Sequence, residues 1–186
     1  MDIFKLIEKR RSVFPVQYNQ KAISKSTLEK VLSAANWAPT HRKTEPWRFK
    51  IVRGESKKDL ADFVIAEMQK AKPDLSSFKI RKTRHKFEAS SAVIAICMQR
   101  DPKESVPEWE EIAATAMAVQ NVWLACTSEN IGAYWSSPQL IKHFHKFFDF
   151  EEGERCLGLF YMGYFDGDLP KGERKTSIAQ KTQWLD

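Results

Sequence analysis

"APTHRKTEPWRFKIV" (residues 38–52) changes character halfway along, and that change sets the architecture. Its first half is a polar loop bounded by Pro39 and Pro46, and Pro39 disfavours helical backbone at Ala38. Its second half alternates with period two: Trp47, Phe49 and Ile51 share one face and Arg48 and Lys50 the other, the pattern of a strand ended by Gly54. A helix closing before Pro39 and a strand opening at Trp47 require a chain that mixes α and β elements.

Upstream, Ile3, Phe4, Leu6 and Ile7 predict a helix from Asp2 to about Lys9–Arg11, which Pro15 keeps from continuing. A second helix starts at Ser24 or Ser26 and carries Leu28, Val31, Leu32 and Ala35 at helical spacing up to "WAP" (37–39). Downstream come an amphipathic helix over 56–70, a helix or mobile cationic segment over 76–90, and a buried strand "AVIAICM" (92–98). A long helix over 108–130 follows, for which Gly132 suits the left-handed C′ position. A short strand at 133–135, a helix over 138–149 and a last buried strand over 156–165 complete the pattern. The remaining residues form a polar tail whose Trp184 and Leu185 suggest docking, a partner subunit being one surface for it.

At 186 residues, with 42% hydrophobic and 29% charged residues, the chain has the length and composition of one folded domain, residues 1–186. Its net charge of +6 favours anionic partners, namely nucleic acid, an acidic membrane surface or a phosphate-bearing small molecule. Cys97, Cys126 and Cys156 are far apart and odd in number, so neither a disulfide framework nor a CxxC motif is visible, and a reducing cytoplasm is the expected compartment. "MDIFKLIEKRR" (1–11) lacks the apolar core of a signal peptide, and the longest apolar stretch, 112–127, falls short of a membrane span.

Standard catalytic constellations are missing. His41, His85, His143 and His145 form no HExxH pair, and there is no GxSxG elbow, P-loop or GxGxxG. What remains is a dispersed order: "RRS" (10–12), "APTHRKTEPWRF" (38–49), "NIG" (130–132) after the long helix, "YWSS" (134–137) and "KGERK" (171–175). Taken together these resemble the flavin-dependent nitroreductase family, particularly its short members, with "RRS" and "PWRF" the specific parts and the likeness running along essentially the whole chain.

The resemblance implies an α+β three-layer sandwich with a mixed central sheet flanked by helices, built as an intertwined homodimer with an extended C-terminal tail and one FMN in each of two interfacial clefts. It implies that Arg10 and Arg174 hold the FMN phosphate, whose oxygens match a guanidinium fork, and that Ser12 donates a hydroxyl hydrogen bond. Arg11 is either a further contact or a solvated neighbour. Trp37 and His41 would approach the flavin from the second subunit, and Trp135, Ser136 and Ser137 would lie along it in the first. Glu45 stands where the family commonly has Gln, an acceptor-only group in place of an amide, and Ser136 departs from the usual basic or small residue.

The activity so implied is hydride transfer from NADH or NADPH through flavin N5 to a nitro-compound, quinone or similar small-molecule acceptor, in ping-pong order. It needs no catalytic side chain, no metal, no nucleic acid and no membrane. Residues 71–90 and 100–108 would cover the ring. Two rivals remain: a basic nucleic-acid-binding domain using "KIRKTRHK" (79–86), and a flavin-binding storage or sensor protein with little turnover.

Overall fold

The computed structural model describes residues 2–185. Five α-helices and four strands alternate along the chain: α1 (Ile3–Lys9), α2 (Lys25–Ser33), β1 (Trp47–Val52), α3 (Ser56–Ala71), α4 (Ser77–Ala89), β2 (Ala92–Gln99), α5 (Glu108–Ser128), β3 (Ile131–Ser136) and β4 (Glu154–Tyr164). Local chemistry fixes several boundaries. Ser24 and Ser76 cap α2 and α4 by accepting from the N–H groups of Thr27 and Lys79. Pro107 precedes α5, and Glu108, Glu110 and Glu111 place negative charge in its first turn, where the helix dipole favours it.

The strands pair in the order β1-β2-β4-β3, each antiparallel to its neighbour. The parallel component expected of a mixed sheet is confined, among the described residues, to the bridge between Ser12 and Ala133. β2 lies inside the sheet and is buried on both faces, which is why its sequence is an unbroken apolar run. Alternation along it splits the core in two. Ala92, Ile94 and Ile96 join Leu28, Val31, Ala118 and Val122 under α2 and α5. Val93, Ala95 and Cys97 join Leu60, Val64, Phe87 and Phe144 on the opposite face, under α3 and α4. The result is helices, sheet, helices, the three layers expected.

Several local expectations change. Gly132 is not a helix cap: Asn130 takes the left-handed turn at φ 54°, and Gly132 lies within β3. There the missing side chain matters, because a Cβ would come 2.8 Å from Val13 Cβ. Directly across the ladder, Gly163 pairs with Gly132, and a Cβ on it would sit 2.5 Å from the Tyr18 ring. The segment expected as a helix over 138–149 forms tighter 3₁₀ turns, Gln139–Lys146. The cationic segment 76–90 is a regular helix that buries Thr83 and Phe87 beside α3, rather than a flexible cover.

Buried carboxylates tie the layers together. Glu111, 1% exposed, accepts from the Asp101 N–H at 2.8 Å and pairs with Arg100, fastening the 100–107 loop to α5. Glu67 on α3 pairs with Lys70 at 2.5 Å and Lys146 at 3.5 Å, joining α3 to the 3₁₀ segment. Among the described residues no helix is long and apolar enough to cross a membrane.

Two stability measurements follow from this packing. Gly163→Ala should cost about 1–3 kcal/mol by overpacking, because Tyr18 cannot swing away while its hydroxyl donates to Val13 and Tyr161 carbonyls at 2.8 and 3.0 Å; urea denaturation should show a lower midpoint at unchanged slope. Hydrogen bonding from Lys70 lowers the Glu67 pKa below its ordinary 4.5, against burial, which raises it. A depressed folded-state pKa stabilises the protein above the unfolded value and the gain is lost as pH falls through the folded value. The stability gap between wild type and Glu67→Gln should therefore be full at neutral pH and close only in acid, measured as unfolding free energy against pH.

Candidate functional site

Arg10 ends α1, its N–H still bonded to the Leu6 carbonyl at 3.1 Å, and the backbone then turns extended. Two residues on, the chain meets the edge of β3: Ser12 bridges Ala133, and the Val13 N–H donates to the Ala133 carbonyl at 3.0 Å. The end of α1 is thereby pinned beside the sheet, with Ser12 exposed. The Arg10 guanidinium sits 4.7 Å from the centre of the Trp123 ring on α5, a cation–π contact that sets where it points.

Arg11 does different work. Its Nη1 donates to the carbonyls of Glu8 at 2.5 Å and Arg10 at 2.7 Å, and its Nε to the Pro170 carbonyl at 3.1 Å. Its guanidinium also lies against Gly172, where any side chain would collide with it. Arg11 is thus a half-buried strap that holds the first stretch of the tail to the end of α1. The strap returns Arg174 to the neighbourhood of Arg10, whose pKa is lowered first by burial, then by Arg174, then by Arg11.

Three guanidiniums are therefore gathered at one end of the protein, and among the described residues none of them pairs with a carboxylate. Beside them runs a cleft of about 640 Å³ lined by Lys5, Glu8, Lys9, Arg11, Lys171 and Arg174. Glu8 is the one carboxylate in that lining, outnumbered by the cations; crowded like charges are unfavourable on their own and become favourable around a polyanion. A phosphate dianion fits this donor set: forked guanidinium donors, with a hydroxyl nearby on Ser12.

β3 leads away from this end. From Ala133, beside Ser12, to Ser136 the strand rises roughly 10 Å, so Trp135 and Ser136 lie on the same edge, with exposed Ser137 next in the chain. Trp135 packs its indole over Gly158, and its Nε1 is buried without a partner. That nitrogen is enclosed over the face of β4 at Gly158, so the residue does not offer it as a donor at the edge.

The structure does not bring His41 to this edge, and the turn that ends in Trp37 is tied to α5 by Asn121, whose Nδ2 donates to the Ala34 carbonyl at 3.3 Å. Trp37, 85% exposed, ends a 3₁₀ turn after α2. The His41 Nδ1 lies 2.6 Å from Glu110 Oε2, in the first turn of α5. Glu110 and Trp123 are thirteen residues apart on that helix, about 20 Å at 1.5 Å per residue, so His41 and Arg10 occupy opposite ends of it. The loop around His41 is strained, with Arg42, Lys43 and Glu45 all at positive φ (50°, 56° and 42°). Thr40 Oγ1 steadies it, accepting from the Glu45 N–H at 3.2 Å, while the Glu45 carboxylate makes no hydrogen bond or ion pair among the described residues.

Of the expected cover, residues 100–107 stay near His41 through the Arg100–Glu111 anchor, whereas 77–89 pack under the other sheet face. Sequence reasoning missed Trp123 and Glu110 as partners of the candidate residues. Their partners are 113 and 69 residues away, and no spacing rule connects them.

The same chain pattern occurs in known proteins. YfhC of Bacillus subtilis, provisionally named an NAD(P)H nitroreductase, is 28% identical over 179 residues, covering 95% of this chain and 90% of its own. A nitroreductase-like family protein from Bacillus cereus superposes with a TM-score of 0.83 at 31% identity, covering 100% of this chain and 97% of its own. A provisionally named nitroreductase from Desulfovibrio desulfuricans, solved in complex with FMN, shares the fold at a TM-score of 0.73 and 18% identity, covering 100% of this chain and 98% of its own. The Nitroreductase family model matches residues 7–164, from within α1 to the end of β4, and this chain belongs to the nitroreductase family.

Proposed function

We propose that the protein is an FMN-dependent oxidoreductase working as a homodimer, and the observation that carries the proposal is the cluster of unpaired guanidiniums at Arg10, Arg11 and Arg174. Arg10 and Arg174 hold the FMN phosphate, Arg11 keeps Arg174 in place, and Ser12 donates to the phosphate or ribityl chain. Trp135, Ser136 and Ser137 offer the β3 edge to the flat ring. When bound there, FMN would supply two-electron chemistry, accepting hydride from NADH or NADPH and giving it to a nitro-compound, quinone or similar acceptor in ping-pong order. Residual positive charge from Lys5, Lys9 and Lys171 around the cleft attracts the nucleotide phosphates.

The exposed surface supports the dimer. The chain presents 11873 Å² of accessible surface, against about 9,200 Å² for a compact monomer of its 21.6 kDa mass. The excess matches what large permanent interfaces bury. It is concentrated in apolar side chains: Phe4 is 72% exposed, Trp109 67% and Trp37 85%, joined by Ile3, Ile7, Met117 and, on the tail, Ile178, Trp184 and Leu185. α1 buries no residue in its own chain, and a helix of 7 residues is too short to hold itself in water. In a dimer, Trp37 and His41 reach the partner's flavin, a reading favoured by the exposure of Trp37 and by the separation of His41 from Arg10 of its own chain.

Fluorescence titration of FMN checks the phosphate site. Arg10→Ala should weaken binding about 10- to 100-fold, the worth of a charged hydrogen bond, while Lys82→Ala on α4 leaves it nearly unchanged. Equal losses would reduce the site to general electrostatics, and absence of FMN binding by the wild type would end the proposal. NADH or NADPH oxidation with a nitroaromatic then tests turnover; bleaching of the flavin without turnover would favour the storage reading. Sedimentation should give a particle of about twice 21.6 kDa, and a stable monomer holding stoichiometric FMN would contradict the shared cleft.

A further inference from the structure

The register of β2 on β4 sets Cys97 directly opposite Cys156. Opposed residues of an antiparallel pair have Cα atoms about 4.5–5.5 Å apart and side chains on one face, inside the roughly 4.4–6.8 Å that a disulfide spans. Both side chains belong to the same buried cluster, and both thiols are free. The Cys97 thiol donates to the Ala95 carbonyl at 3.8 Å and the Cys156 thiol to the Gly158 carbonyl at 3.4 Å. The register shifts beside the pair, where Leu157 is the extra residue of a bulge. A bulge interrupts the ladder locally, which gives the backbone freedom to bring the sulfurs into bonding distance.

The two thiols are not equivalent. Cys97 is fully enclosed, whereas Cys156, 7% exposed, lines a cleft of about 450 Å³ together with Ile141, Lys142, His145, Phe150 and Glu154. The wall beside it is polar: Glu154 is held through one oxygen by Lys50 at 2.9 Å and the Glu151 N–H at 3.1 Å, and its other oxygen is buried without a partner. The Cys97 thiol lowers the Cys156 pKa, burial opposing, while Cys97 itself is raised by Cys156 and by burial. Cys156 is therefore the thiol a small reagent reaches, with burial and the nearby Glu154 carboxylate opposing its ionisation. Cys126 sits in the other core cluster, fully buried on α5, with its pKa raised by burial.

We propose that Cys97 and Cys156 form a reversible dithiol–disulfide site, in which Cys156 reacts first with a small hydroperoxide and Cys97 resolves the product. Cys156 gives up its thiol proton and the thiolate attacks the hydroxyl oxygen of the peroxide; the O–O bond breaks, a Cys156 sulfenic acid forms, and the other oxygen takes up that proton and leaves as alcohol or, from hydrogen peroxide, as water. The Cys97 sulfur then attacks the sulfenic sulfur, the S–O bond breaks, and its oxygen departs with the Cys97 proton as water. The dithiol has lost two electrons, the peroxide has gained them, and an external thiol reverses the change by exchange.

The test uses the purified full-length chain exposed to hydrogen peroxide, then denatured, alkylated and mapped by mass spectrometry. Alkylatable thiols should fall from three to one, with Cys126 the survivor, a linked peptide pair containing Cys97 and Cys156, and full recovery in dithiothreitol. Cys97→Ala should carry Cys156 on to the sulfinic acid, since no resolving thiol remains. Three intact thiols at peroxide doses that fully oxidise free glutathione would overturn the site. So would a disulfide to Cys126 or between chains, or a Cys97→Ala protein whose Cys156 stays reduced.

Discussion

The site hangs on a window left open by two glycines. Gly132 of β3 and Gly163 of β4 face each other across the ladder, and through the gap they leave Val13 and Tyr18 press onto the sheet. Tyr18 completes the latch by donating its hydroxyl to carbonyls on both sides of the contact, Val13 and Tyr161. Burial pushes the Tyr18 pKa upward, so the phenol stays a donor at any ordinary pH. Because Val13 is held, so are Arg10, Arg11 and Ser12 immediately before it, and so is the tail that Arg11 straps. A short helix whose own face is unburied acquires a fixed end through this latch together with the Arg10 contact on Trp123.

Charge pairing then decides which cations remain available. The formal excess of +6 says nothing about place. Glu67 takes Lys70 and Lys146, Glu111 takes Arg100, Glu154 takes Lys50, and Asp62 takes Arg84. These pairs lie on α3, α4, α5 and the far end of the sheet, where they fasten elements or cover helix faces. The cationic run on α4, the strongest cluster by sequence, is partly consumed in this way and caps the α3 layer. Arg10 and Arg174 are among the cations left without a carboxylate, and what sets them apart is that the fold brings them close to each other and to Arg11.

Much of the fold was legible because it rests on periodicity. The alternation in Trp47–Val52, the apolar run of β2 and the small-residue stripe of α5 each signal burial within one short window. What misled was local chemistry with two uses: "NIG" after a helix suits a C′ glycine, yet Asn130 supplies the turn and Gly132 serves a long-range contact invisible in its neighbours. For the same reason the site was only half readable. Arg10, Ser12 and Arg174 could be named through family likeness, but Trp123 beneath Arg10, Glu110 beside His41 and the facing of Cys97 with Cys156 depend on strand register and helix crossing.

The length of α5 carries a last consequence. Site candidates touch it at two well-separated places, Glu110 with His41 in its first turn and Trp123 with Arg10 in its second half. A rigid helix keeps them about 20 Å apart, so no side-chain rearrangement within one chain can make a single compact site of both. Yet the strained 41–45 loop and the exposed Trp37 are costly features with no use in the isolated chain. Both features would gain a use if two-fold pairing set the His41 end of one α5 near the Arg10 end of its partner. An isologous contact would make that exchange twice, serving two candidate sites at once.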